Sequence, residues 1–112
     1  MGAASLFSVP KPAVEHVKTM LGFAVRSRKA VLGFSAVLQA CKKGKLHLIV
    51  MDACASPASR ERILRAGQLH RISVLTSDEL EIEKWVGKAN CRFAGITDPE
   101  FARSMIKPPV KA

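Results

Sequence analysis

The segment KLHLIVMD, residues 45–52, constrains the fold more than any other part of the chain. Leu46, Leu48, Ile49, Val50 and Met51 form an apolar run too brief for a helix and rich enough for a strand buried on both faces, closed by Asp52. Two shorter runs, Ile72 to Leu75 and Arg92 to Ile96, read as further strands, and Ala30 to Leu32 as a very short one. Strands of this kind need cover on two sides.

The cover is written between them. From Pro12, the residues Val14, Val17, Leu21, Ala24 and Val25 recur at three- and four-residue steps, the spacing of one buried helical face, and this helix is expected to end near Arg28. After Gly33 a second helix places Phe34, Val37, Leu38 and Cys41 on one face and stops at Gly44, with Lys42 and Lys43 suited to the negative end of its dipole. Ser56 followed by Pro57 starts a third, carrying Arg60, Arg62 and Arg65 and stopping at Gly67. Thr76 with Glu79 makes a capping-box pattern for a fourth helix that ends near Val86 with Gly87 as its stop. Thr97, Asp98, Pro99 and Glu100 open a fifth, burying Phe101, Met105 and Ile106. Helices alternating with buried strands predict an α/β fold, a three-layer α/β/α sandwich around a small mixed sheet of about four strands. At 112 residues the chain suits one domain. We expect that domain over residues 12–106, with 1–11 a loose N-terminal segment and 107–112 a tail.

The charge balance narrows the function. The chain has 18 Lys plus Arg against 9 Asp plus Glu, a formal net charge of +9, which favours polyanionic partners. No run approaches the roughly 18 apolar residues of a membrane span. Cys41, Cys54 and Cys91 are odd in number and far apart, which favours reduced thiols in a cytoplasmic protein over a disulfide framework or a zinc site. Gly2 to Leu6 only loosely evokes a myristoylation site.

Catalytic signatures are weak. A phosphate loop needs Gly-Lys followed by Ser or Thr and then a helix, whereas Gly44-Lys45 is followed by Leu46 and a strand. GxGxxG is absent. Cys54, close to a helix start, is the best candidate nucleophile and Asp52 the best candidate base. A structural thiol and a capping carboxylate are the simpler readings. The acidic cluster Asp78, Glu79, Glu81 and Glu83 suits the positive end of a helix dipole. No cofactor or metal is expected.

The basic residues gather at element ends: Arg26, Arg28 and Lys29; Lys42, Lys43 and Lys45; Lys88 and Arg92. Two of these groups flank Gly33 and Gly87, where backbone can approach a partner and helix-start amides can meet phosphate. With aromatics at 5% and no Tyr, contact through phosphates and backbone is favoured over base stacking.

The order of these segments resembles the ribosomal-protein L-seven-Ae family, and most of all its small stand-alone bacterial members. The likeness spans residues 18–106 and rests on RKAVLG before the second helix, the strand LHLIVMD, the stretch Leu80 to Lys88, and AGITDPEFA near the end. It implies an α/β/α sandwich, no catalytic activity, and binding of kink-turn RNA at the start of the second helix and the loop after the fourth. Carried over by position, Gly33 matches the family glycine, Lys29 the preceding basic residue, and Gly87, Lys88, Asn90, Cys91 and Arg92 the second loop. Where the family has Asn then Glu this chain has Ser35 and Ala36, and the Lys one helical turn later is Gln39.

The expected function is therefore a non-enzymatic RNA-binding protein of ribosomal-protein type, monomeric and cytoplasmic. Its expected partner is structured RNA, a kink-turn or rRNA, within a ribosome or other ribonucleoprotein, and not a membrane. The expected contacts are Arg28, Lys29, Gly33, Phe34, Ser35, Gln39, Lys42, Gly87, Lys88, Asn90, Cys91 and Arg92. The alternative is a protein-interaction module that has lost specific RNA readout at Ser35 and Ala36; an enzyme built on Cys54 or Asp52 is the third possibility.

Overall fold

The computed structural model describes residues 6–8, 11–52, 54–77, 81–87 and 91–106. In chain order they form β1 (Leu6–Ser8), α1 (Lys11–Arg26), β2 (Ala30–Leu32), α2 (Phe34–Lys42), β3 (Leu48–Asp52), α3 (Pro57–His70), β4 (Val74–Ser77), α4 (Ile82–Val86), β5 (Phe93–Ile96) and α5 (Pro99–Ile106). The strands make one sheet in the order β1-β4-β3-β5-β2. β1, β4 and β3 pair in parallel, and β5 lies antiparallel between β3 and β2. The fifth strand, β1, falls within the segment expected to be a lead-in: Leu6, Phe7 and Ser8 pair with Val74, Leu75 and Thr76. Three residues at a sheet edge leave little periodic signal.

Alternation along β3 divides the core in two. Leu48 and Val50 pack with Val14, Val17, Leu21 and Ala24 of α1, Ile82 of α4, and Ala102 and Met105 of α5. Ile49 and Met51 face the other way, onto Val37, Ala40 and Cys41 of α2 and Ile63 of α3. All five β3 residues are buried, as the apolar run requires, and each large aliphatic side chain so enclosed contributes about 1.5–3 kcal/mol. The result is the three-layer α/β/α sandwich, with α1, α4 and α5 on one face and α2 and α3 on the other.

Helix ends depart from the sequence reading in two places. α3 runs past Gly67 to His70 and turns at Arg71, whose φ is 59°. Gly67 is instead a close-contact residue: a Cβ there would lie 2.8 Å from the Ile72 carbonyl oxygen and 3.1 Å from Val74 Cγ2. A glycine near a helix end fits both a stop and a close approach, and here packing decides. Thr76 belongs to β4 and is buried, and α4 starts at Ile82 behind Glu81, which makes no side-chain cap bond. The capping-box reading of Thr76 therefore fails, since β-branched Thr is held by its strand neighbours; Glu79 lies outside the described residues.

Gly67→Ala is expected to lower unfolding free energy by about 1–3 kcal/mol, because backbone rather than a mobile side chain opposes the new methyl and overpacking outweighs the helix-propensity gain. Urea denaturation measures it.

Candidate nucleic-acid interface

Strand directions decide which residues meet. β2 and β3 both run antiparallel to β5, and β4 runs parallel to β3. The C-terminal ends of β2, β3 and β4 and the N-terminal end of β5 therefore share one edge of the sheet, the carboxyl edge. α2, α3 and α4 all begin there.

Asp52 organises this edge. Its side chain is almost fully buried at the end of β3. Oδ1 accepts from the Cys54 amide at 2.9 Å and Oδ2 from the Ile82 amide at 3.2 Å, and Arg92 Nη1 stands 4.0 Å from Oδ2. One carboxylate thus ties the turn before α3 to the start of α4, and its charge strengthens both bonds. Arg92 also donates from Nη1 to Glu83 Oε1 at 3.3 Å. Asp52, read from the sequence as a turn or cap residue more than a base, is fully engaged in holding these elements.

Beside it α2 starts without a cap. Gly33 has φ 97° and ψ 157°, a conformation that suits glycine. Its amide donates to the Phe93 carbonyl at 2.9 Å, and its carbonyl accepts from the Val37 amide. No side chain caps the helix, so the amides of Phe34, Ser35 and Ala36, the orphan donors of a first turn, are available to an outside acceptor. Ser35 and Ala36 are exposed. The half-buried Phe34 ring meets Phe93 edge-on at 5.7 Å, and the Arg62 guanidinium lies 5.2 Å above it. Phe34, Phe93, Arg92, Cys54, Ser56 and Ser59 line a cavity of about 360 Å³ open to solvent. Ser56 is the cap of α3, its Oγ accepting from the Ser59 amide at 3.3 Å.

The structure sorts the expected contacts. Gly33, Phe34, Ser35 and Arg92 come together at the carboxyl edge, and Gln39 is exposed one turn along α2 on the face of Ser35. Gly87, with φ 72°, ends α4 and is exposed; Lys88 and Asn90 lie outside the described residues. The Cys91 side chain is in the core, with Sγ 3.3 Å from the Phe93 carbonyl. Arg28, Lys29 and Lys42 are not brought together with these residues. β2 and α2 separate them from the start of α2, because a strand of three residues spans about 10 Å and a helix of nine about 13 Å. Lys29 instead pairs with Asp98 at 3.5 Å. The amides of Phe101 and Glu100, aided by Lys29, hold the Asp98 carboxyl below its ordinary range.

Ser56, Ser59, Arg62 and Phe93 were not expected at the site. The Ser-Pro start of α3 was legible, but its position beside α2 depends on strand order. Among the described residues no cluster of His, Cys, Asp or Glu could hold a metal ion, and no helix is long and apolar enough to cross a membrane. The Cys41 thiol is pushed up by burial.

These features define a class: an α/β/α sandwich with an open, amide-rich concavity where its strands end, the usual place for a ligand in open α/β sheets. No protein-family model matches the chain, and no curated protein matches it in sequence. Among solved structures it is similar to a protein of unknown function from Bacillus halodurans, at 22% identity and a TM-score of 0.75 over 80% of this chain and 92% of that one. It is also similar to the 15.5kD RNA binding protein of Giardia lamblia, at 10% identity and a TM-score of 0.75 over 88% of each chain. The likeness establishes a shared fold.

Removing the Asp52 carboxylate by Asp52→Ala is expected to cost about 3 kcal/mol, because two amides lose a charged acceptor and one of them is buried. Hydrogen exchange at the Ile82 amide should accelerate with it, and Asp52→Asn, which keeps one carbonyl acceptor, should lose less.

Proposed function

We propose that the chain is a non-enzymatic RNA-binding protein that takes a structured RNA, kink-turn-like or ribosomal, on the start of α2 and the loop after α4, as part of a ribosome or other ribonucleoprotein. The observation that carries this reading is the uncapped first turn of α2 behind Gly33, with Phe34, Arg62 and Arg92 around the adjoining cavity. Its amides offer hydrogen bonds to phosphate or to a base edge, and the net charge of +9 supplies attraction at a distance. The L-seven-Ae resemblance and the fold shared with an RNA-binding protein of Giardia lamblia point the same way. Asp52 is committed to structural hydrogen bonds, and the described residues lining the Cys54 cavity include no histidine to serve as its base.

The second reading, a protein-interaction module, is favoured by one observation: the two exposed positions at the start of α2 are Ser35 and Ala36, and Ala36 has no hydrogen-bonding side chain. Under the RNA reading, backbone amides and Ser35 must do what Asn and Glu do in the family.

A gel-shift panel separates the two. The chain is expected to bind a kink-turn more tightly than the same RNA with its tandem G·A pairs replaced. The logarithm of its affinity should fall steeply and linearly with the logarithm of salt concentration, and Arg62→Gln with Lys88→Gln should reduce that slope by about two. Equal binding of all RNAs would mean generic affinity; absence of RNA binding would favour the interaction module.

A further inference from the structure

The opposite, amino edge of the sheet gathers a second set of cations. α1, α2 and α3 all end there with the same backbone geometry, in which one amide bonds three residues back and the next bonds five back. The pairs are Arg28 to Val25 with Lys29 to Ala24, Gly44 to Cys41 with Lys45 to Ala40, and Arg71 to Gln68 with Ile72 to Gly67. This ending places its turning residue at positive φ, where glycine is strongly preferred. Gly44 obeys, with φ 70°; the other two positions are Arg28 at 61° and Arg71 at 59°. They are the only non-glycine residues with positive φ among those described, and each pays on the order of 1 kcal/mol for a conformation glycine adopts freely.

What these positions share is charge at the surface. Arg28, Lys42, Lys43, Lys45 and Arg71 are all exposed, and none of them forms an ion pair with a described carboxylate. Helix dipoles explain only part of this. Three C-termini carry about −0.5 charge each, roughly −1.5 in all, far short of five unpaired cations. The band crosses from β2 through β5 and β3 to β4, three strand spacings or about 14 Å. A double helix carries one phosphate charge per about 1.7 Å of its axis, so a band this long meets several phosphates at once.

We propose that the amino edge is a second nucleic-acid contact, a sequence-independent grip for the phosphate backbone of a helical RNA segment, so that the chain holds two segments on opposite ends of its sheet. This rests on the RNA reading above. An anionic lipid surface fits less well, because the large exposed apolar residues nearest this edge, Phe23 on α1 and Leu69 on α3, lie on opposite layers with the sheet between them, and Arg26 covers the Phe23 ring at 5.2 Å.

The test uses Arg28→Gly with Arg71→Gly, substitutions that relieve positive-φ strain and so leave the fold at least as stable. Binding of the full chain to a plain 20-base-pair RNA duplex is followed by fluorescence anisotropy across salt concentrations, beside a kink-turn RNA and vesicles containing phosphatidylserine. The double variant is expected to lose about two from the salt slope on the duplex. Lys42→Gln with Lys43→Gln and Lys45→Gln should weaken duplex binding in the same way. An unchanged duplex slope in the glycine variant overturns the proposal while kink-turn binding by the wild type keeps the first reading. Loss confined to vesicles assigns the edge to lipid and also overturns it. Failure of the wild type to bind either RNA overturns both.

Discussion

The Asp52 carboxylate sits where three elements must meet, at the buried end of the strand that both halves of the core share. It accepts from the Cys54 amide on the way to α3 and from the Ile82 amide at the start of α4, with Arg92 at the start of β5 close by. A buried charge is tolerated only when hydrogen bonds replace water. At Asp52 the replacements come from neighbouring elements, so satisfying the charge and fixing the geometry are one event. The open start of α2 is held against the same framework, through the Gly33 amide on the Phe93 carbonyl and the contact of the Phe34 and Phe93 rings.

From this arrangement follows a polarity. At one edge of the sheet α2, α3 and α4 begin, and the uncapped amides of α2 suit an anion. At the other α1, α2 and α3 end and α5 begins, and cations there are favourable to the three C-terminal dipoles. The basic clusters, continuous in the sequence with the glycine that opens α2, belong mostly to the second edge. Exposed cations and uncapped amides beside a cavity thus lie at different ends of the same domain.

Much of the fold was legible because its signals are periodic. β3 declares burial on both faces through an unbroken apolar run, and α1 declares one buried face through Val14, Val17, Leu21 and Ala24. Legibility ended where one local pattern serves two purposes. Gly67 looked like a stop and is a contact; the actual turn uses Arg71, which no propensity would select. Thr76 matched a cap yet lies in a strand, and β1 is too short to announce itself. For the candidate site, the structure brings Gly33, Phe34, Ser35 and Arg92 together and sets Arg28, Lys29 and Lys42, which lie close to them along the chain, apart. A strand or a helix between two residues converts that nearness into distance, and the contribution of α3, through Ser56, Ser59 and Arg62, needed the strand order.

We propose the uncapped start of α2 as the surface that receives RNA. Titrating the isotopically labelled full chain with a kink-turn RNA, while recording the backbone amide resonances, tests it most directly. The amides of Phe34, Ser35 and Ala36 are expected to shift most and to saturate at one RNA per chain. Tight binding that leaves those three amides unmoved would contradict it.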